Sequence, residues 1–537
     1  MMNVLKKYHL PLTAAILVSM ATACTAQPQP AATPKGKEPS AAATAYPIQT
    51  NTTLGYWLQT PTTLKASITD VPFYQEWQKR TGIKLKYSEI ATGQAKEAFN
   101  VMLASGDLPD IIEYDWLHDS PGGPAKMIND GNILRLNDLI DKYAPHLKEL
   151  LKNNPQIDKL IKTDDGDYYA FPFLKEVGGR TTQYAGPVIR KDWLDELGLS
   201  VPTTIDEWHT VLKTFKEKKG STAPLSLEGQ PNALQGILGG AFVGAHGIIK
   251  NFYLDDNGKV HYGPQEPAYK AFLATLHQWY EEGLLDKNFT QTDRKALDAN
   301  LTSGASGATV ISGANVDKWE LALQAKDPKA KFVYVPYPVL QKGDTPKFGQ
   351  EDFAYPGPKS AAISAKSKHP ELAVQLLDYA YGSDGYKLFN YGTEGSSYTL
   401  NNGSPKLTDL ILKNPDKLSY VEALSLYTHS VNQGPYLQSR DLFNQVSLNS
   451  PEHDYGKWKT DNLKHVLPPV TLTGSESGEF AKIISEVNTL VDETSLKLIL
   501  GTQPLDAFDT YASKLNALNI KRAIEIQQAA YDRYNKR

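Results

Sequence analysis

Two hydrophobic rhythms alternate along the chain. Short runs dense in apolar, β-branched and aromatic residues, such as Thr53-Leu54-Gly55-Tyr56-Trp57-Leu58, Lys84-Leu85-Lys86-Tyr87 and Asp110-Ile111-Ile112-Glu113-Tyr114, read as strands. Between them, apolar residues recur at three- and four-residue spacing and read as helices: Phe73, Tyr74 and Trp77 behind Asp70; Trp208, Val211, Leu212 and Phe215 behind the cap Thr204; Tyr269, Phe272, Leu273, Leu276 and Trp279 behind Pro267. This alternation predicts an α/β architecture with mainly parallel sheets. Trp77, Trp193, Trp208 and Trp279 lie on such stripes or at their start and are assigned to cores. The last sixty residues, from Gly478, read as helices broken at Gly501 to Pro504, with stripes Phe508, Tyr511, Leu515, Leu518 and Ile524, Ile526, Ala530, Tyr534. No fixed period of roughly 20 to 50 residues recurs, which excludes repeat architectures.

The start of the chain follows a different pattern. Lys6-Lys7, an apolar stretch from Leu10 to Met20 and the small residues Ala21-Thr22-Ala23 have the layout of a cleaved export signal covering residues 1–23. The stretch is too short to span a bilayer. The only cysteine, Cys24, follows at once and resembles the acylated cysteine of a bacterial lipobox, which implies a lipid anchor. Ala21 stands where that motif usually has Leu, and ordinary cleavage after Ala23 would release the chain instead. Residues 25–47 contain five Pro, seven Ala and four Ser or Thr, a composition for an extended tether rather than a core, so the globular part is expected from Ile48.

Composition narrows the function. The 537 residues carry 56 Lys+Arg against 60 Asp+Glu, a formal charge of −4, which argues against a general nucleic-acid binder. One cysteine allows no intramolecular disulfide and no cysteine zinc cluster. Tyrosines number 29 against 16 Phe and 8 Trp, a bias suited to half-wet binding surfaces.

Catalytic signatures are missing. There is no phosphate-binding G-x-x-x-x-G-K-[ST], no G-x-G-x-x-G, no H-E-x-x-H, no S-x-x-K and no G-x-S-x-G; Gly474-Ser475-Glu476-Ser477-Gly478 has Glu at the serine position. No two of the eleven His lie at i and i+4. A convergent pair of carboxylates, as in a glycoside hydrolase, leaves no local signature and stays open. The acidic clusters Asp164-Asp165-Gly166-Asp167 and Asp255-Asp256-Asn257-Gly258 lie between β-type residues and read as tight hairpin turns rather than calcium loops.

Taken together, FYQEWQKRTG from Phe73, MLASGDLPDII from Met102, DGDYYAFP from Asp165, IRKDWLDELGLSVPTTIDEW from Ile189, WYEEGLL from Trp279 and IQQAAYDRY from Ile526 resemble the extracellular solute-binding lipoproteins of bacterial ABC importers, in the oligosaccharide-binding branch. The resemblance implies a two-lobe periplasmic-binding-protein-like fold with discontinuous lobes, a hinge and a central cleft. It places one lobe at 48–180 plus 355–405 and the other at 181–354 plus 406–537, with Pro172 to Gly186 as a crossing segment. It further implies a monomeric, membrane-anchored extracellular receptor that hydrolyses nothing, needs no cofactor, and hands an oligosaccharide to a permease pair with a cytoplasmic ATPase. Many members of this branch carry a calcium loop after the Lys-rich helix, but Phe215 here runs into KEKKGSTAPLSL, so no metal is expected there.

A sugar site needs aromatic platforms edged by hydrogen-bonding side chains. Trp57 and Trp116 at strand ends, with Asp115 beside the latter, and Trp319, Tyr355 and Tyr398 in boundary regions are the candidates. Glu394 enters through the stretch Gly392-Thr393-Glu394-Gly395-Ser396-Ser397-Tyr398, which resembles a family sequence at the cleft mouth. Arginines are scarce, nine in all, and Arg180 and Arg440 lie outside helical patterns; either, lining a cleft, would suit a uronate. A secreted carbohydrate-active enzyme, an adhesion or scaffold protein, and a receptor for peptides or other small solutes remain alternatives.

Overall fold

In the computed structural model, residues 44–60, 67–178, 181–228, 241–357, 359–416, 418–446 and 451–537 are described, and they build two main sheets. In the first, strand Thr53–Gln59 pairs in parallel with Lys84–Ile90 and with Ile111–Tyr114, and Ser360–Ile363 closes the edge antiparallel to Ile111–Tyr114. The helix between the first two strands, Pro72–Thr81, stops at Gly82, whose φ of +76° suits only glycine and whose missing side chain leaves room for the backbone of Ile48. Asp110, at the entrance to the third strand, accepts the Gly55 N–H (2.8 Å) and the Ser367 hydroxyl (2.6 Å), which pins this strand to its neighbours.

The second sheet departs from the expectation of parallel pairing. Ala185–Arg190 is antiparallel to both Ala308–Ser312 and Phe332–Tyr334. Hydrophobic periodicity carries no information on strand direction. Here the chain enters the sheet at Ala185 from the crossing segment, and strand Ala308–Ser312 runs back to end at Ser312, directly opposite Ala185.

Each sheet has its own core. Tyr56, Phe73, Trp77, Ile111, Phe171, Leu377 and Phe389 fill the first; Trp193, Trp208, Phe215, Trp279, Trp319, Phe332, Trp458, Tyr511 and Leu515 fill the second. All four tryptophans assigned to cores are there, none more than 7% exposed. Helix Ile205–Lys219 begins with the anticipated Thr204 cap, which accepts from the Glu207 N–H while Glu207 bonds back. The terminal region forms helices Gly474–Ile499, Phe508–Ala517 and Ile520–Lys536. Both acidic clusters are turns: Asp255 accepts from the N–H groups of Asn257 and Lys259 in the hairpin Phe252–Leu254/Val260–Tyr262, and Gly166 turns at φ +81° between the bridged residues Lys162 and Tyr168.

Two crossing segments run side by side between the cores. The Lys175 N–H donates to the Ala354 carbonyl (2.7 Å), and the Asp352 N–H to the Thr182 carbonyl (3.0 Å). The Gln350 carboxamide accepts from Tyr184 and donates to Thr182. Within residues 420–446, grouped with the second lobe in the sequence partition, Leu437–Gln438 pairs with Leu174–Lys175 and Tyr436 is buried in the first core, while Ala423, Leu424, Val431, Leu442, Phe443 and Val446 fill a satellite core with Tyr391 and Tyr398.

Candidate functional site

A cavity of about 380 Å³ opens where these segments meet. Its walls come from the crossing segments (Phe173, Lys175, Thr181, Tyr184, Asp352, Pro356), from the end of the second sheet (Ser312, Ala314) and from the segment 420–443 (Tyr420, Val421, Val431, Asn432, Gln438, Phe443). Ser312 is the last residue of its strand, and Ala314 lies in the first turn of the following helix Gly313–Gln324, the position at which open α/β sheets take ligands. A 670 Å³ groove between strand Lys84–Ile90 and helix Ala95–Ser105 lies within the first lobe, so it lacks this convergence. A 600 Å³ cavity adjoins the site through Asp352 and Pro356 and is walled largely by 462–488.

Aromatic faces and neutral polar groups dominate the 380 Å³ cavity. Tyr184 is 37% exposed and presents an open ring, with the Lys175 ammonium 4.7 Å from its centroid. Burial pushes the Tyr184 hydroxyl above the usual tyrosine range, so it stays protonated and can donate. Lys175 pairs with Asp352 at 2.5 Å, which neutralises the charges on this wall. Thr181 spends its hydroxyl on the Gly178 carbonyl (2.7 Å), and Gln438 bonds the Val431 carbonyl. Gly313, behind Ser312, is required by contact: a side chain there would collide with the hydroxyls of Tyr334 and Tyr455. Against Gly313, Tyr334 stacks on both Trp458 (4.1 Å) and His453 (4.9 Å).

The residues singled out in the sequence scatter. Trp116 is fully buried with its indole N–H on the Ser360 carbonyl (2.9 Å), and Trp57 is 4% exposed against Phe99 and Tyr114, so both are core of the first lobe. Strand-end position placed them near a cleft; the ring of Phe99, stacked on Tyr114, draws both inward. Asp115 is half-buried and accepts from the backbone and ring of His118. Trp319 is buried in the second core, its N–H on Asp298 (2.8 Å). Tyr355 is buried, bonded to the Tyr169 hydroxyl (2.7 Å), and touches the adjoining cavity. Tyr398 packs beside Tyr391 in a satellite core, and Glu394 is exposed on the turn before it; neither lines the cavity. Arg440 is exposed and lies between the lining residues Gln438 and Phe443. Arg180 and Cys24 lie outside the described residues.

Sequence reasoning missed Tyr184, Tyr420 and Phe443. Tyr184 had a signal, since it lies inside the crossing segment expected at Pro172 to Gly186.

Two cores, each with its sheet, joined by crossing segments that floor a cavity, define a two-lobed binding protein of the periplasmic-binding-protein-like class. The chain belongs to the bacterial extracellular solute-binding proteins, a family that matches residues 60–387. It is similar, at 24% identity over 91% of this chain and 92% of the relative, to the fructooligosaccharide ABC transporter substrate-binding protein FusA of Streptococcus pneumoniae serotype 4. It is 23% identical, over 85% of this chain and 87% of the relative, to the polygalacturonan/rhamnogalacturonan-binding protein YtcQ of Bacillus subtilis. Among solved structures, the alginate-binding protein AlgQ2 without calcium ion superposes with a TM-score of 0.73 at 26% identity, covering 89% of this chain and 98% of that one.

Proposed function

We propose that the protein is the substrate-binding receptor of an ABC importer, capturing an oligosaccharide in the cavity between its lobes and delivering it to a permease pair driven by a cytoplasmic ATPase. The observation that carries this reading is the cavity itself: an open tyrosine face and polar side chains contributed jointly by both crossing segments, the second sheet and the segment 420–443. Sugars offer C–H faces to aromatic rings and hydroxyls to Asn, Gln, Ser and Thr. The relatives named for fructooligosaccharide and polygalacturonan binding support the same ligand class. Movement of the lobes about the laced segments 174–178, 181–185 and 350–357 gives open and closed forms, and a ligand touching both lobes favours the closed one. Tethering at Cys24 would hold the receptor, acting as a monomer, on the outer face of the membrane.

The test is a thermal-shift screen of the chain from Ile48 onward against neutral and acidic oligosaccharides, followed by chromatography of each hit. A ligand at a hundred times its dissociation constant adds about 2.7 kcal/mol of stability. Recovery of the ligand intact supports a receptor; fragments would mean an enzyme, and no hit in any sugar class would refute the assignment.

A further inference from the structure

Among the described residues, arginine use is uniform but for one residue. Of the eight arginines among the described residues, Arg80, Arg135, Arg190, Arg294, Arg522, Arg533 and Arg537 each have a carboxylate within 4.0 Å. Among the described residues Arg440 has none: its guanidinium meets the Val177 carbonyl, at 3.4 Å, while its backbone N–H donates to the Glu176 carboxylate. Arg440 lies in sequence between Gln438 and Phe443 of the cavity wall, and the Val177 carbonyl that its guanidinium meets lies between the wall residues Lys175 and Thr181.

A second cation is set in the same manner beside the cavity. Lys359 holds φ +58°, a left-handed conformation unusual for a residue with a side chain and one that clusters at functional sites. Its half-buried ammonium donates to the Gln433 carboxamide (2.7 Å), next to the wall residue Asn432, and has no carboxylate within 4.0 Å among the described residues. The carboxylates nearest in the fold are already engaged: Glu113 by Tyr56, His429 and Gln433, and Asp115 by His118. Burial lowers the pKa of Lys359, the direction that a bound anion would reverse. The charges on the cavity wall proper, Lys175 and Asp352, cancel each other, and the Glu176 carboxylate beside Arg440 is taken up by the Tyr386 hydroxyl and the Arg440 backbone N–H, which leaves the guanidinium itself without an acidic partner among the described residues.

Resting on the receptor reading above, we propose that the captured oligosaccharide is acidic, with Arg440 gripping a sugar carboxylate and Lys359 serving as a second positive contact. A guanidinium matches a carboxylate with two parallel N–H···O bonds, and such charge-assisted bonds are about twice as strong as neutral ones.

Titration calorimetry on the chain from Ile48 onward tests this, with oligogalacturonides, oligomannuronides, their carboxyl-reduced neutral counterparts and neutral fructooligosaccharides as probes. The expected result is tighter binding of an acidic series than of its reduced form, with affinity that falls as salt rises. Arg440→Gln should weaken acidic binding by about tenfold or more and leave the reduced sugar nearly unchanged, and Lys359→Gln should act in the same direction. Equal or tighter binding of neutral sugars, or acidic binding indifferent to both substitutions, would overturn the acidic assignment while leaving the receptor standing. Binding of no sugar of either kind would remove the receptor reading and this one with it.

Discussion

Glu113 and His429, 316 residues apart in sequence, meet at 3.0 Å with both side chains shut off from water. The Glu113 carboxylate also accepts from the Tyr56 hydroxyl (3.0 Å), and the second ring nitrogen of His429 lies 3.1 Å from the Tyr74 hydroxyl. Strand Ile111–Tyr114 supplies the acid and the stretch after helix Tyr420–Ser425 supplies the imidazole, so the contact fastens one wall of the cavity to the first sheet.

Breaking this pair is expected to be costly. A buried ionisable group that loses its partner costs about 3–5 kcal/mol. Glu113→Ala should therefore lower stability on that scale in denaturant titration. Tyr56→Phe removes one donor and leaves the carboxylate otherwise satisfied, so it should cost about 1 kcal/mol. Equal effects of the two substitutions would mean that the network is not the source of the stability.

The aromatic residues separate into two kinds by a simple pair of substitutions. Trp116→Ala empties a fully buried site and should destabilise by about 3–5 kcal/mol. Tyr184→Ala removes a ring already 37% exposed and should change stability little, yet weaken ligand binding by about tenfold. Midpoint temperatures and calorimetric affinities measured on both variants check this. Tyr184→Ala with full affinity would exclude that ring from the site.

His453 gives the fold a dependence on alkaline pH. Burial favours its neutral form, but Asp317 (3.4 Å) and Glu320 (3.1 Å) outweigh burial and push its pKa up to about 9. An unfolded histidine titrates near 6.5, so the folded state holds its proton more tightly than the unfolded chain. That stabilisation is complete below about pH 6.5 and is lost as pH rises through about 9. Thermal midpoints measured across this window should decline in the wild type and decline less in His453→Gln. Since His453 stacks on Tyr334, which abuts Gly313 next to the wall residue Ser312, ligand affinity should weaken over the same range.

How far the sequence could be read follows from where each kind of information resides. The Thr204 cap and the core tryptophans are local or periodic properties, and they were legible. The direction of strand Ala308–Ser312 and the pairing of Leu437–Gln438 with Leu174–Lys175 depend on contacts across more than a hundred residues, which periodicity does not encode. Trp116 misled because an aromatic residue at a strand end satisfies two descriptions equally well, and only the Ser360 carbonyl in line with its N–H decides between them. Tyr184 was overlooked for the converse reason: its place inside the expected crossing segment was visible, but its exposure arises from the gap left by two crossing segments and a distant helix.

The ion pair of Lys175 and Asp352 gives the last prediction, because it lies in the cavity wall and in the lobe connection at once. Lys175 is nearly buried, while Asp352 keeps a quarter of its side chain exposed. Replacing Lys175 with Met keeps the stem that packs along Tyr184 but strands the carboxylate, whose desolvation is then unopposed. Stability should fall, and any anionic ligand should bind more weakly because a bare negative charge now faces the cavity. Adding Asp352→Asn removes that charge, so the double variant should regain most of the stability lost by Lys175→Met alone. A double-mutant cycle in which the two losses simply add would show that the pair contributes nothing to joining the lobes.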